Sequence, residues 1–334
     1  MFKDRIDNYK LLEARRDSKL LVYVTGDRPG LETQIHQEIL DYFIYHLDIM
    51  NDCKKISLFL YTRGGNTLAA WSLVNLIRQF CDHFEVIIPL KAHSAGTLIS
   101  IGADSILMTK QATLGPIDPS LNTPLNPQIP GLPPTTTIPV SVEAINGFIA
   151  LAREELNIRG KNEFTSILNK LTDRIHPLVL GEVYRARDQI KMLASKLLSK
   201  QIKDKKKLKN IISFLCSESG SHDYTINRRE ARDELGLNIE KPDDSLYLLI
   251  KAIYDDIQNE LQLTQKYDPR QVLGSNQQAR YSFRRALIES ISGGSDYFVS
   301  EGTLVQSTVQ AQPNVVKIAI EDQRDYEGWK HENT

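Results

Sequence analysis

What the chain lacks narrows the reading first. Cys53, Cys81 and Cys216 are its three cysteines. They are odd in number, widely spaced and set among apolar residues, so they read as reduced core residues and not as a disulfide framework. No CxxC pair occurs, and the seven histidines are scattered without an HExxH arrangement, so neither a metal nor a cofactor is expected. There is no uncharged run of about eighteen apolar residues, and no membrane span is expected. The opening MFKDRIDNYK is charged where a signal peptide would be apolar, which leaves the cytoplasm as the expected location. An excess of one charge is missing too: 41 Lys and Arg stand against 42 Asp and Glu. Without a basic surplus, nucleic acid is not expected as a partner. A P-loop is absent, so any ATP-driven unfolding would come from a separate regulatory partner.

What remains is an ordinary globular composition, 41% hydrophobic and 25% charged over 334 residues. That length suits one large domain with appendages. Leu20 to Val24, Ile56 to Tyr61 and Val86 to Leu90 are short β-branched runs bounded by Gly, Pro or charge, as expected of buried strands. Between them Ile35, Ile39, Tyr42, Phe43 and His46 recur at helical spacing, as do Ala70, Val74, Ile77 and Cys81. Strands alternating with helices predict an α/β domain with a largely parallel sheet. Six of the fourteen prolines fall between Asn122 and Val140, which must be a loop or exposed arm, either a passive connector or a lid. Helical patterns follow, one capped by Ser141 and a long one from Pro177. The lysine run Lys203 to Asn210 reads as a solvated helix end or loop. Thr225 is expected to cap a helix stopping at Gly236. The tail is polar and contains VVKIAI, a candidate edge strand. The expected organisation is 1–121 as the first part of an α/β core with the nucleophile and 122–140 as a Pro-rich arm. A helical extension with the rest of the core follows over 141–240, then a C-terminal helical region with a small β element over 241–334.

Three segments carry candidate chemistry. Tyr61 to Asn66 follows a strand and precedes a helix, and its glycines, Gly64 and Gly65, let the backbone turn with its amides exposed toward a negative oxygen. Taken alone, it is also what a simple strand-to-helix turn looks like. Lys91 to Thr97 reads KAHSAGT. Ser94 there is either an N-cap or a nucleophile whose oxyanion the Ala95 amide can hold. The small residues after it would leave room for a substrate. Ser221 to Tyr224 holds His222, a candidate general base, beside Asp223. Arg63 is placed either to bind a substrate carboxylate or to form a surface ion pair.

Together these segments resemble the Clp-protease/signal-peptide-peptidase-A superfamily, and most closely the bacterial serine dehydrogenase proteinases. LYTRGGNTLAAWSLVNLIR is similar to that family's Gly-Gly oxyanion turn and following helix, AHSAGT to its nucleophile turn, and LGPIDP (Leu114 to Pro119) to the strand end facing it. HDYTINRREARDELGL is similar to the late segment in which Clp proteases place their catalytic Asp, here Asp223. The resemblance implies the Clp/crotonase fold, a repeated ββα superhelix with a helical extension, and a serine peptidase acting on peptides or unfolded proteins. Clp proteases take their His from the segment matching LGPIDP, where this chain has Ile117 and Asp118. The implied triad is therefore rearranged, with Ser94 as nucleophile, His222 as base, and Asp118 or Asp223 orienting it. Gly64, Gly65 and Ala95 form the oxyanion hole. Lys91 or Lys110 in a Ser-Lys dyad and His93 or His176 are weaker candidates for the base. A crotonase-like acyl-CoA enzyme, an α/β-hydrolase and an inactive Clp-like scaffold are the alternatives. Clp-type folds assemble through a helical extension, so residues 177–202 are the expected homo-oligomer contact.

Overall fold

The computed structural model describes residues 1–117, 120–121, 123–133, 136–218, 223–312 and 315–332. It divides into two compact units. The first comprises Met1–Leu114 and Ile226–Thr334, the second Gly115–Thr225.

The first unit opens with α1 (Phe2–Arg16), β1 (Lys19–Thr25), α2 (Ile39–Met50), β2 (Cys53–Tyr61), α3 (Thr67–Ile77) and β3 (Cys81–Ile88). It continues with β4 (Lys91–Ala92), α4 (Ala95–Ile101), β5 (Ser105–Met108) and β6 (Thr113–Leu114). After β2 and β3 leave the large sheet, the chain touches a small one, at Thr62 and at β4, before turning into α3 and α4. β1, β2, β3 and β5 pair side by side in parallel. Thr62 bridges to Ala92, and β4 pairs with β6. This is the α/β class that the sequence pattern predicted, in the repeated ββα arrangement that the resemblance implied.

The strands are buried on both faces, which is why they read as continuous apolar runs and not as alternations. Leu20, Val22, Val24, Phe59, Ile87 and Leu107 pack with Phe2, Tyr9 and Leu12 of α1 in one cluster. The intervening Tyr23 meets Phe43 of α2 edge to face, at 5.4 Å between ring centroids. Charged side chains are sunk in this core as well, Arg5 and Glu289 among them. Arg5 is fully buried and donates to Glu289 (2.6 Å) and Glu260 (2.6 Å). Burial alone would lower its pKa, but Glu289, Tyr9 and Glu260 overcome that and raise it.

In the second unit β7 (Ser120–Leu121) pairs antiparallel with β8 (Val140–Ser141), closing the Pro-rich loop between them. Ser141 caps α5 (Val142–Ala150) through the Ala144 amide, as expected. Then come α6 (Lys161–Thr172), α7 (Pro177–Leu198) and α8 (Lys205–Ser213). The lysine run lies largely inside α8: Asp204 accepts from the Lys206 and Lys207 amides and starts the helix there. Burial here is uneven: α7 buries seven residues, from Val179 to Leu198. α6 has no buried residue, and the cluster around α5 and α7 consists of Val140, Val142, Val179 and Val183.

The first unit resumes at β9 (Ile226–Asn227), which joins the small sheet through β6, followed by β10 (Ile239–Glu240), α9 (Asp244–Glu260) and α10 (Pro269–Leu273). The cap at this point is Asn227, not Thr225: its side chain accepts from the amides of Arg229 and Glu230. The tail differs more from expectation. After α10 come β11 (Gln278–Ser290), β12 (Gly294–Gln312) and β13 (Val315–Glu332), which extend the large sheet beyond β1. VVKIAI is only the start of β13, which does form the sheet edge. The two-residue period of these strands is interrupted by register shifts between Arg284 and Ala286 and between Glu301 and Gly302. Such bulges and the polar outer face obscure a strand pattern in sequence. Cys53 and Cys81 also sit less deeply than expected: both are half-buried, and Cys216 alone is buried. Among the described residues no helix is long and apolar enough to cross a membrane, and no group of His, Cys, Asp and Glu could hold a metal ion.

Candidate active site

The two turns singled out in sequence lie against each other. β2 and β3 are parallel neighbours, so both strands end at the same edge and deliver their following turns side by side. The Thr62 amide donates to the Lys91 carbonyl (3.1 Å), and the His93 amide donates to the Thr62 carbonyl (3.1 Å). A Cβ built on Gly64 would lie 2.7 Å from Ser94 Cβ and 2.8 Å from the His93 carbonyl oxygen. Only a glycine allows that approach, and φ of +111° there would strain any other residue.

Ser94 occupies the N-cap position of α4 but does not act as a cap: its side chain makes no capping hydrogen bond. Its backbone has φ 52° and ψ −113°, a conformation that costs a non-glycine residue about 1–3 kcal/mol and persists only where its surroundings hold it. They do hold it. The Gly96 amide donates to the His93 carbonyl (2.8 Å), the Leu98 amide to the Ser94 carbonyl (3.1 Å), and Thr97 Oγ1 to the Ala92 carbonyl (2.9 Å). The serine is presented, half-buried, at the head of a wholly buried helix.

The backbone amides of Gly65 and Ala95 donate to no group among the described residues. Gly64, grouped with them from sequence, is not a donor: its amide is committed to Thr62 Oγ1 at 2.9 Å, and its carbonyl accepts from the Ile35 amide. Its contribution is to let the chain pass the serine. The space beside Gly96 is likewise not substrate room, since a Cβ there would meet Thr62 Cγ2 at 2.4 Å. Gly96, two residues after Ser94, is small for packing.

Sequence reasoning missed what fixes the glycine turn. Ile35 pairs with Gly65 as an isolated bridge, its amide bonding the Gly64 carbonyl (2.9 Å) and its carbonyl accepting from Asn66 (2.8 Å). A Cβ on Gly65 would come within 2.4 Å of the Ile35 nitrogen and oxygen. No local signal links residues so far apart in the chain. Thr62 was also overlooked. It accepts from Thr25 Oγ1 (2.8 Å) as well as from Gly64, and its place directly before two glycines was the available clue.

The weaker candidate bases are used otherwise. Lys91 Nζ is 2.5 Å from Asp27, and Asp27 also accepts from Tyr61 (2.8 Å). Burial, with Tyr254 and Asp27 nearby, raises the Tyr61 hydroxyl pKa, and burial raises that of Tyr254 to about 12. Lys110 Nζ lies over the Tyr247 ring at 4.6 Å. His93 Nε2 is 2.9 Å from Thr113 Oγ1, and His176 caps α7 by accepting from the Leu178 amide. His222 and Asp118 lie outside the described residues. Asp223 is exposed at a turn of the second unit, while Ser94, Gly65 and Ala95 belong to the first. Arg63 is exposed and forms no ion pair among the described residues.

The chain is similar to several known proteins. An uncharacterized protein of Methanocaldococcus jannaschii, MJ0137, is 30% identical over 187 residues, 56% of this chain and 54% of its own length. A second from the same organism, MJ1495, is 39% identical over 66 residues, 20% of this chain and 23% of its own. The chain thus spans about half or less of the curated relatives it matches. Among solved structures, a membrane-bound stomatin-specific protease superposes with a TM-score of 0.38 at 17% identity, over 70% of this chain and 85% of that one. ClpP1 from Listeria monocytogenes gives a TM-score of 0.36 at 18% identity, over 71% and 97%. Residues 42–130, which hold Gly64, Gly65, Ser94 and Ala95, match the family of ClpP-like SDH-type serine proteinases.

Proposed function

We propose that the protein is a serine peptidase that cleaves peptide bonds in peptides or unfolded chains through an acyl-enzyme on Ser94. The observation that carries this reading is the serine itself: held in a strained conformation, excused from capping, and placed beside the Gly64–Gly65 turn. Ser94 is one of five non-glycine residues with a positive φ among the described residues, and it is the one set against the Gly64–Gly65 turn; strain retained beside such a turn points to use.

In the proposed reaction Ser94 Oγ attacks the scissile carbonyl carbon while His222 takes its proton. The carbonyl oxygen becomes an oxyanion held by the Gly65 and Ala95 amides. The C–N bond then breaks, the leaving amine takes the proton from His222, and water repeats the sequence on the acyl-serine. Asp118 or Asp223 would orient the imidazole. Arg63, exposed beside the glycine turn, is suited to a carboxylate of the bound peptide. The exposed apolar side chains Leu168, Leu178, Tyr184 and Met192 on α6 and α7 support assembly with further copies through the second unit. A separate unfolding partner would act upstream.

The test is covalent labelling with a fluorophosphonate, followed by mass spectrometry of the Ser94 peptide. Labelling of the wild type, its loss in Ser94→Ala, and slowing in His222→Ala are expected. A crotonase-like enzyme or an inactive scaffold needs no reactive serine, so failure of the wild-type chain to label would sink the reading. Light scattering tests assembly, and a monodisperse monomer would remove it.

A further inference from the structure

On the first unit, apart from the serine, the segment Glu32 to Glu38 and the added strands β11 to β13 line a cavity of about 270 Å³ that is open to solvent on the side of Glu32 and Glu38. Tyr23, Phe298 and Trp329 supply its aromatic lining, Glu32, Glu38 and Glu327 its carboxylates, and Arg285 a guanidinium. Tyr23 is wholly buried, yet its hydroxyl has no hydrogen-bond partner. A buried hydroxyl left unpaired costs about 1–3 kcal/mol, and a partner entering the cavity would satisfy it.

The charges decide what kind of partner. Arg285 is not available to an anion. Its donors go to the carbonyls of Leu31 (3.0 Å) and Glu32 (2.6 Å), to Ser300 Oγ (2.9 Å) and to Glu327 (3.1 Å). Glu327 is thereby neutralised. Glu32 and Glu38 are not: Glu32 accepts from the Gly30 amide (3.1 Å), Glu38 from Trp329 Nε1 (3.2 Å), and neither forms an ion pair among the described residues. Two unpaired carboxylates beside aromatic faces and a phenol oxygen with free lone pairs form an environment for a cation that donates hydrogen bonds.

We propose that this cavity is a binding site for an organic cation, a primary ammonium or guanidinium on a short aliphatic stem, carried either by a free amine or by a Lys or Arg side chain of a polypeptide. The stem packs against Phe298 and Trp329, and the charged head meets Glu38 and Tyr23. The site does not depend on Ser94 chemistry. The two are linked through the chain, because Ile35, in the segment Glu32 to Glu38, holds the Gly65 turn.

Trp329 provides the readout, since Trp71 is the other tryptophan of the chain and a Trp71→Phe protein reports on Trp329 alone. Titration with butylammonium, agmatine and a lysine-containing tripeptide should change its fluorescence saturably, with a dissociation constant at or below about 1 mM for the best of them. Butanol, the neutral counterpart, should not titrate. Glu38→Gln should weaken binding about tenfold by removing one charge-assisted contact. Tyr23→Phe should weaken it several-fold without lowering the melting temperature. In hydrogen exchange, the cation should protect residues 32–38. A tripeptide at least tenfold tighter than the free amines assigns the site to polypeptides, and equal affinity assigns it to amines. Equal response to butanol, unchanged affinity in both variants, or protection elsewhere would overturn the proposal.

Discussion

The two units of this chain invest their apolar residues differently. In the first, both faces of the parallel strands are covered and a run such as Leu20 to Val24 has essentially no exposure. In the second, α6 buries nothing, and α7 buries seven residues yet leaves Leu178, Tyr184 and Met192 in solvent. A strained serine can be held only where the surroundings are over-determined, and the first unit offers that. The second carries Asp223 and a surface that lacks its own cover.

The comparison can be broken most severely at Arg5. Arg5→Met leaves Glu289 and Glu260 buried without their shared partner, and a loss of about 3–5 kcal/mol in urea unfolding is expected. An unchanged midpoint would mean the first unit is less tightly determined than its burial implies. Gly65→Ala comes next, since its Cβ would collide with Ile35. Displacing that amide should cost about 2.7–4 kcal/mol of transition-state stabilisation, read as a fall of 10²–10³ in peptide turnover. Ser94→Gly removes the strain at φ 52°, so it should raise stability by about 1 kcal/mol while abolishing labelling. The smallest effect belongs to the second unit. Leu168→Gln should move unfolding of the isolated chain by no more than about 0.5 kcal/mol, while reducing the mass seen in light scattering.

Acid sharpens the same contrast. Burial would raise the Glu85 pKa, but hydrogen bonds from Arg16 and Lys55 outweigh it and hold it below the usual 4.5. A depressed carboxylate stabilises the fold fully above its unfolded value and loses that contribution as pH falls through the folded one. Unfolding that follows titration of the first unit should therefore begin below about pH 4.5, and Glu85→Gln should flatten that slope.

Much of the site was readable because it is local. AHSAGT and TRGGN each sit between a strand and a helix, and parallel strands bring their ends together. Non-local features were not readable. Gly64 differs from Gly65 as a donor only because Thr62 Oγ1 reaches its amide, and Gly96 is small because Thr62 lies against it. The long C-terminal strands were hidden for another reason, since bulges break their alternation and polar side chains cover one face.

The sequence by itself determined the α/β class, the strands β1, β2 and β3, the helices between them, and Ser94 as the nucleophile candidate; it did not show α1, and it set Ile35 and Cys81 on helices where the structure has a bridge and the start of β3. Apolar period and glycine placement are short-range properties that a chain carries before it folds. Only the tertiary structure decided which amides remain available at that serine, and that a cavity opens behind the Ile35 segment. Both follow from residues such as Ile35, Thr62 and Trp329, whose contacts lie far away in the chain and whose positions are fixed by sheet pairing.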